Sequence, residues 1–90
     1  MGKTSITFKI MPTSPSVDLA QLKSAVEKKT VELGGKFKSS TEEPIAFGIK
    51  ALMCIIEYPE DRDPDALEEA LAKLKDVNSV QMTDVRRVIA

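Results

Sequence analysis

Residues 49–58 are apolar on both parities, with Ala51, Met53 and Ile55 on one and Leu52, Cys54 and Ile56 on the other. A strand of this kind belongs inside a sheet and is expected to be covered to some degree on both faces. Whatever the fold, it must place a neighbour along each edge of that strand. The segment leading into it, Glu43-Pro44-Ile45-Ala46-Phe47-Gly48, holds two residues that set backbone angles. Pro44 fixes its own φ and pushes Glu43 toward extended geometry, while Gly48 is free to take an angle closed to other side chains. Residues 43–48 therefore read as a rigid loop presented by a strong scaffold, with Phe47 between the two punctuators. An aromatic in that place either folds back into a local core or projects toward a partner, and the residues alone leave both open.

The rest of the chain supplies the neighbours. In residues 5–11, Ile6, Phe8 and Ile10 alternate with Ser5, Thr7 and Lys9, the pattern of a strand with one buried face. Gly2-Lys3-Thr4 is not a phosphate loop, because that motif needs an earlier glycine, a strand before it and a helix after it, and only Met1 precedes it. Pro12-Thr13-Ser14-Pro15 makes a turn into a helix capped by Asp18, with Gln21 three residues on and Val17 placed to staple against Leu22. Its apolar face is Leu19, Leu22, Val26 and Leu33, and Gly34-Gly35 stops it. Lys23, Glu27, Lys28 and Lys29 form a solvated face. Residues 36–42 are polar apart from Phe37 and suit a short edge strand whose lysines discourage sheet-to-sheet association.

Beyond the apolar strand, Glu60, Asp61, Asp63 and Asp65 lack the ligand spacing and central glycine of a calcium loop. Asp63 as cap, Pro64 at the first helical position and Asp65 in the first turn explain them as the start of a second helix. That helix runs through Leu67, Ala70, Leu71 and Leu74 and ends at Asp76-Val77-Asn78. In residues 79–88, Val80 and Met82 share one parity and Val85 takes the other, which predicts a bulge near Thr83-Asp84 and sends Arg86 and Arg87 in opposite senses. The order βαββαβ is the ferredoxin-like split βαβ pattern of the α+β class. In it the first and third strands are central and both helices cover one face of a four-stranded antiparallel sheet. The expected core is Ile6, Phe8, Leu22, Val26, Leu52, Ile56, Leu67 and Leu71.

Composition narrows the function. Ninety residues make one domain, spanning 1–90, that hides roughly 60–65% of the unfolded chain's surface and leaves little room for a deep active site. Hydrophobic content of 42% and charged content of 30% fit an ordinary soluble domain. No run has the length of a membrane span and no signal-peptide start is present, so the chain reads as cytoplasmic with no membrane partner. The lone Cys54 lies in the apolar strand as a small core residue. Histidine is absent, which removes the commonest general base and zinc ligand. No metal, cofactor or catalytic set is expected. Residues 1–41 carry 7 Lys/Arg against 3 Asp/Glu, and residues 42–84 carry 4 against 11. The acidic middle argues against direct nucleic-acid binding and suits steering toward a basic protein surface.

Two separated segments carry a resemblance. The run Glu43-Pro44-Ile45-Ala46-Phe47-Gly48-Ile49-Lys50-Ala51-Leu52 and the ending Val80-Gln81-Met82-Thr83-Asp84-Val85-Arg86-Arg87 resemble the archaeal translation elongation factor 1-beta family. Met11-Pro12 and the helix after it also fit that family's layout. Its members are guanine-nucleotide exchange factors for elongation factor 1-alpha. The resemblance implies a non-enzymatic protein, monomeric when free, that meets this GTPase through Pro44, Ile45, Phe47, Gly48, Lys50, Asp84, Arg86 and Arg87. An exchange factor favours the nucleotide-free partner by as much as nucleotide weakens the factor's own binding. A thousandfold faster release corresponds to about 4 kcal/mol, and burying one phenylalanine supplies roughly 1.5–3 kcal/mol. Phe47 therefore needs a second contact. Eukaryotic relatives end in a lysine that reaches the partner's metal site, whereas this chain has Ala90 there. Arg86 or Arg87 then does the electrostatic work from another place, or the exchange depends more on Phe47.

Other classes fit less well. An acylphosphatase-like enzyme needs a phosphate-cradling arginine after the first strand, and Pro12-Thr13-Ser14-Pro15 has no basic residue. An RNA-binding sheet displays aromatics on its central strands, where this chain exposes Thr7, Lys9 and Lys50. A ligand-sensing or oligomerisation module remains the alternative, since the fold does not assign function.

Overall fold

β1 (Lys3–Pro12) and β3 (Ile49–Pro59) pair antiparallel at the centre of the sheet. The computed structural model describes residues 2–46 and 48–88. The buried pairs across this junction are Ile6 with Ile56, Phe8 with Cys54 and Ile10 with Leu52. Residues paired across an antiparallel ladder share a face, so all six lie on one side of the sheet. β2 (Lys36–Ala46) adds to the outer edge of β3, and β4 (Val77–Val88) to the outer edge of β1, giving the order β2-β3-β1-β4. The α+β ferredoxin-like arrangement expected from the element order is the one observed.

Both helices close over that one face. α1 (Leu19–Glu32) begins at Asp18, whose Oδ1 accepts from the Ala20 N–H at 2.9 Å, and contributes buried Leu22 and Val26. Val17 packs on the same core, as a staple does. α2 (Pro64–Ala72) begins at Asp63, which accepts from the Asp65 N–H at 2.9 Å, and contributes buried Leu67 and Leu71. Every residue of the expected core is buried. Thr30 joins it one turn beyond Val26, its hydroxyl donating to the Val26 carbonyl at 2.7 Å so that the buried oxygen has a partner. The end of α1 is a Schellman turn. Gly34 takes φ +90°, its N–H donates to the Val31 carbonyl, and the Gly35 N–H donates to the Thr30 carbonyl at 2.8 Å. Arg62, from the turn before α2, adds a hydrogen bond to the Leu33 carbonyl at 2.9 Å and so ties the two helices' ends together.

Three readings of the sequence need correction. The segment 43–46 is strand, not loop: β2 runs to Ala46, because an edge strand tolerates a proline that lacks the N–H a central ladder would need. α2 stops at Ala72 and β4 starts at Val77, before the expected boundaries. Leu74 packs on the core from the intervening turn, and Asp76 takes φ 68°, the left-handed conformation that an aspartate accepts more readily than most residues. Cover on the second face of β3 is partial and fades along the strand, with Ala51 the residue fully buried there. Met53 is half-buried and Ile55 is 38% exposed, on an open face shared with Thr7 and Lys9. No helix among the described residues is long and apolar enough to cross a membrane.

Gly35 and Cys54 both sit where this packing is tight. A Cβ on Gly35 would stand 3.0 Å from both the Thr30 methyl and the Tyr58 ring and 3.2 Å from the Glu57 carbonyl oxygen. Gly35→Ala is therefore expected to cost about 1–3 kcal/mol, read as a lower urea midpoint at unchanged m-value. Burial pushes the Cys54 thiol up to about 12, with Lys23 pulling weakly the other way. The native chain keeps this proton while the unfolded thiol loses it near pH 8.5, roughly its ordinary value. The stabilisation is thus fully present below that pH and shrinks as pH rises toward 12. Urea titrations from pH 8 upward should show a steeper fall in stability for the native chain than for Cys54→Ala.

Candidate partner-binding site

The residues expected to meet a partner fall into two groups, one on the β2–β3 hairpin and one near the end of β4. In the hairpin, Glu42 pairs with Leu52, Glu43 with Ala51, Pro44 with Lys50 and Ala46 with Ile49. The register shifts between Pro44 and Ala46, so Ile45 is the extra residue of a bulge and stands 39% exposed. Between Ala46 and Ile49 only two residues remain to turn the chain, and Gly48 takes φ +78° there. Phe47, the aromatic expected to act as anchor, lies outside the described residues, as does Ala90. Lys50 Nζ sits 3.8 Å from Glu42 Oε1, a half-exposed pair worth at most about 1 kcal/mol. It lies on the helix side of the hairpin, beside a groove whose other wall is Pro12, Pro15, Val17 and Leu19. That groove is barely legible in the sequence. Its only trace there is the pair of prolines that shapes the β1–α1 turn.

At the other end, Asp84 pairs with Thr7, Arg86 with Ser5 and Arg87 with Thr4. A register shift between Thr7 and Phe8 confirms the bulge read from the sequence. Alternation sends the two arginines to opposite faces, and each meets a different acid. Arg86 Nε is 2.8 Å from Asp84 Oδ2, and Arg87 Nη2 is 2.9 Å from Glu60 Oε1. Glu60 was not among the expected residues, because nothing in the chain order signals that the β3–α2 turn lies beside the end of β4.

The fold keeps the two groups apart. Lys50 and Glu57 are separated along β3 by about 23 Å at the usual rise per residue, and Glu57 shares a row with Ser5 and Arg86. The hairpin and the arginines thus occupy opposite ends of a molecule whose longest dimension is 42 Å. Their spacing rests on the β1–β3 core, so it is fixed by packing and not by loops. What the arrangement offers chemically is two exposed contact points on a rigid bar.

Space around Gly48 is open, since a Cβ there would meet nothing within 4 Å. Only its backbone angle demands glycine. Gly48→Ala is expected to cost about 1 kcal/mol and Gly48→Asn distinctly less, because asparagine tolerates the left-handed region. Thermal unfolding of the two variants tests the ordering.

The EF-1 guanine nucleotide exchange domain family matches residues 5–88. Elongation factor 1-beta of Methanobrevibacter smithii is 47% identical over 91 residues, covering 99% of this chain and 100% of that protein. The same factor from Methanothermobacter thermautotrophicus is 38% identical over 99% of this chain and 100% of its own length. In Haloarcula marismortui the identity is 38%, over 98% and 100%. The solved BlrP1 BLUF structure superposes on the whole of this chain and 57% of its own with a TM-score of 0.62. At 15% sequence identity that likeness concerns the fold alone. With a match that spans both the hairpin and the arginine end, the chain belongs to the EF-1 guanine nucleotide exchange domain family.

Proposed function

We infer that this protein is a guanine-nucleotide exchange factor for elongation factor 1-alpha, promoting GDP release and GTP reloading during translation elongation. The observation that carries the reading is the family match over residues 5–88, together with relatives named elongation factor 1-beta that align along nearly their full length. The work is conformational: no covalent bond is made or broken, and the factor acts by binding one state of the GTPase better than another. The chain acts as a single domain, monomeric when free, in the cytoplasm, with no direct contact to nucleic acid.

Exchange needs two contacts that together supply more than one buried side chain can. Phe47, which the chain places between β2 and β3, is the first, with Pro44, Ile45, Gly48 and Lys50 as the other residues of this segment. A two-residue turn makes this presentation cheap in entropy, because little of the backbone must be ordered on docking. The arginine end of β4 is the second. A GTPase that engages both is held at points whose rows, counted from Lys50 to that of Arg86, are separated by about 23 Å along the strands. It therefore cannot pivot about either without losing the other. Coupling of this sort works in both directions: nucleotide that loosens the complex is itself loosened by it.

Phe47→Ala is expected to abolish accelerated release of labelled GDP from elongation factor 1-alpha while changing stability by about 0.5 kcal/mol or less. An interface aromatic in a pocket costs about 2 kcal/mol or more in binding when truncated. If the variant instead loses roughly 3 kcal/mol of folding stability, as a core phenylalanine would, and its folded fraction exchanges normally, the anchor role is refuted.

A further inference from the structure

Arg86 and Arg87 are neighbours in sequence with different attachments. On β1, Phe8 pairs with Met82 and the preceding Thr7 with Asp84, which leaves Thr83 as an extra residue in β4. Thr83 Oγ1 donates to the Thr7 carbonyl at 3.2 Å and pins the bulge across the two strands. One extra residue turns over everything that follows it. Asp84 and Arg86 consequently lie on the open face with Thr7 and Ser5, and Arg87 lies on the helix side with Thr4.

Their ion pairs differ in what they hold. Arg86 meets Asp84, two residues away on the same strand, with the two side chains 79% and 46% exposed. That pair joins nothing that the strand does not already join. Arg87 meets Glu60 in the β3–α2 turn, with side chains 71% and 36% exposed, and the Glu60 N–H donates to the Gly2 carbonyl at 3.3 Å, so this pair differs from the other in what it joins and little in exposure. The pair links the end of β4 to the β3–α2 turn, and the turn's own backbone is held to the residue before β1.

We propose that Arg86 is the cation the GTPase engages, exchanging Asp84 for an anionic group of the partner, and that Arg87 is a positioning residue that fixes the end of β4 through Glu60. The assignment rests on the exchange-factor reading above. An exposed pair such as Arg86–Asp84 resists exchange by no more than a few-fold in affinity, so a desolvated anion on the partner outcompetes it. Releasing Arg87 would instead free the end of β4 from the β3–α2 turn.

Charge swaps separate the two roles. GDP release from elongation factor 1-alpha, affinity for the nucleotide-free GTPase and thermal stability are measured for Arg86→Ala, Arg87→Ala, and the double variants Arg86→Glu/Asp84→Arg and Arg87→Glu/Glu60→Arg. Arg86→Ala is expected to melt like the unmodified chain and to slow exchange about tenfold or more, as loss of a buried interfacial charge contact does. Its swap partner should not recover. Arg87→Ala should lower stability and exchange together, and its swap should restore both. Weaker binding of Arg86→Ala to nucleotide-free GTPase assigns the anion to the protein, whereas a defect seen only with GDP bound assigns it to a phosphate. Normal exchange by Arg86→Ala, recovery in the Arg86/Asp84 swap, or a folded Arg87/Glu60 swap that stays slow overturns the assignment. An unmodified chain that leaves GDP release unchanged overturns the exchange reading, and the assignment with it.

Discussion

Pairing of β1 with β3 is the constraint on which the rest of this structure depends. Ile6–Ile56, Phe8–Cys54 and Ile10–Leu52 form a double row of buried side chains on one face, and Leu22, Val26, Leu67 and Leu71 close over it. A slip of one residue in this pairing would carry one whole row to the open face, exposing its buried side chains and leaving either Thr7 or Ile55, with their strand neighbours, under the helices. The penalty is several kcal/mol, at roughly 1.5–3 kcal/mol for each large side chain lost from the core. Register is therefore settled at the centre, and the edge strands inherit it.

That inheritance explains where the residues proposed to meet a partner stand. The middle rows of β1 and β3 are committed to the core on their helix side, so these exposed groups sit where each central strand runs out of cover. At one end the β2–β3 hairpin extends past the last buried row. At the other, β4 reaches Arg86 and Arg87 opposite the start of β1. Both edge strands are poor templates for further pairing. β2 carries Lys36, Lys38 and Pro44, and β4 is broken by its bulge. A chain too small to enclose a ligand can still act on a large one by holding it at two places.

The parts of the fold that were legible in the sequence are those whose causes are local. Asp18 and Asp63 announce their helices because a cap needs only the next few N–H groups, and the alternation of Ile6, Phe8 and Ile10 states its own burial. The parity change between Met82 and Val85 announced the bulge for the same reason. Causes that depend on tertiary neighbours were misread or missed. Pro44 looks like a break until its strand is known to be an edge, and Leu74 looks like helix until Asp76 is seen to turn left-handed. Met53 and Ile55 look like core because their apolar character says nothing about which face the helices choose. The Arg87–Glu60 pair joins segments far apart in the chain, and the distance between hairpin and arginines depends on register, which neither segment encodes. Function was legible through the resemblance of two segments, while the residues alone left Phe47 undecided.

The bulge at Thr83 also bears on how chains of this family can differ in length. Removing that one residue would bring Asp84 directly after Met82, and the pairs Phe8–Met82, Thr7–Asp84 and Ile6–Val85 would then follow in unbroken alternation. Every side chain from Asp84 onward would keep the face it has now. Elsewhere in β4, apart from the second extra residue at Asn78, a single deletion would invert the remainder of the strand. Position 83 is thus a place where the chain can gain or lose a residue and keep its surface in phase, at the expense of one hydrogen bond and a local bend.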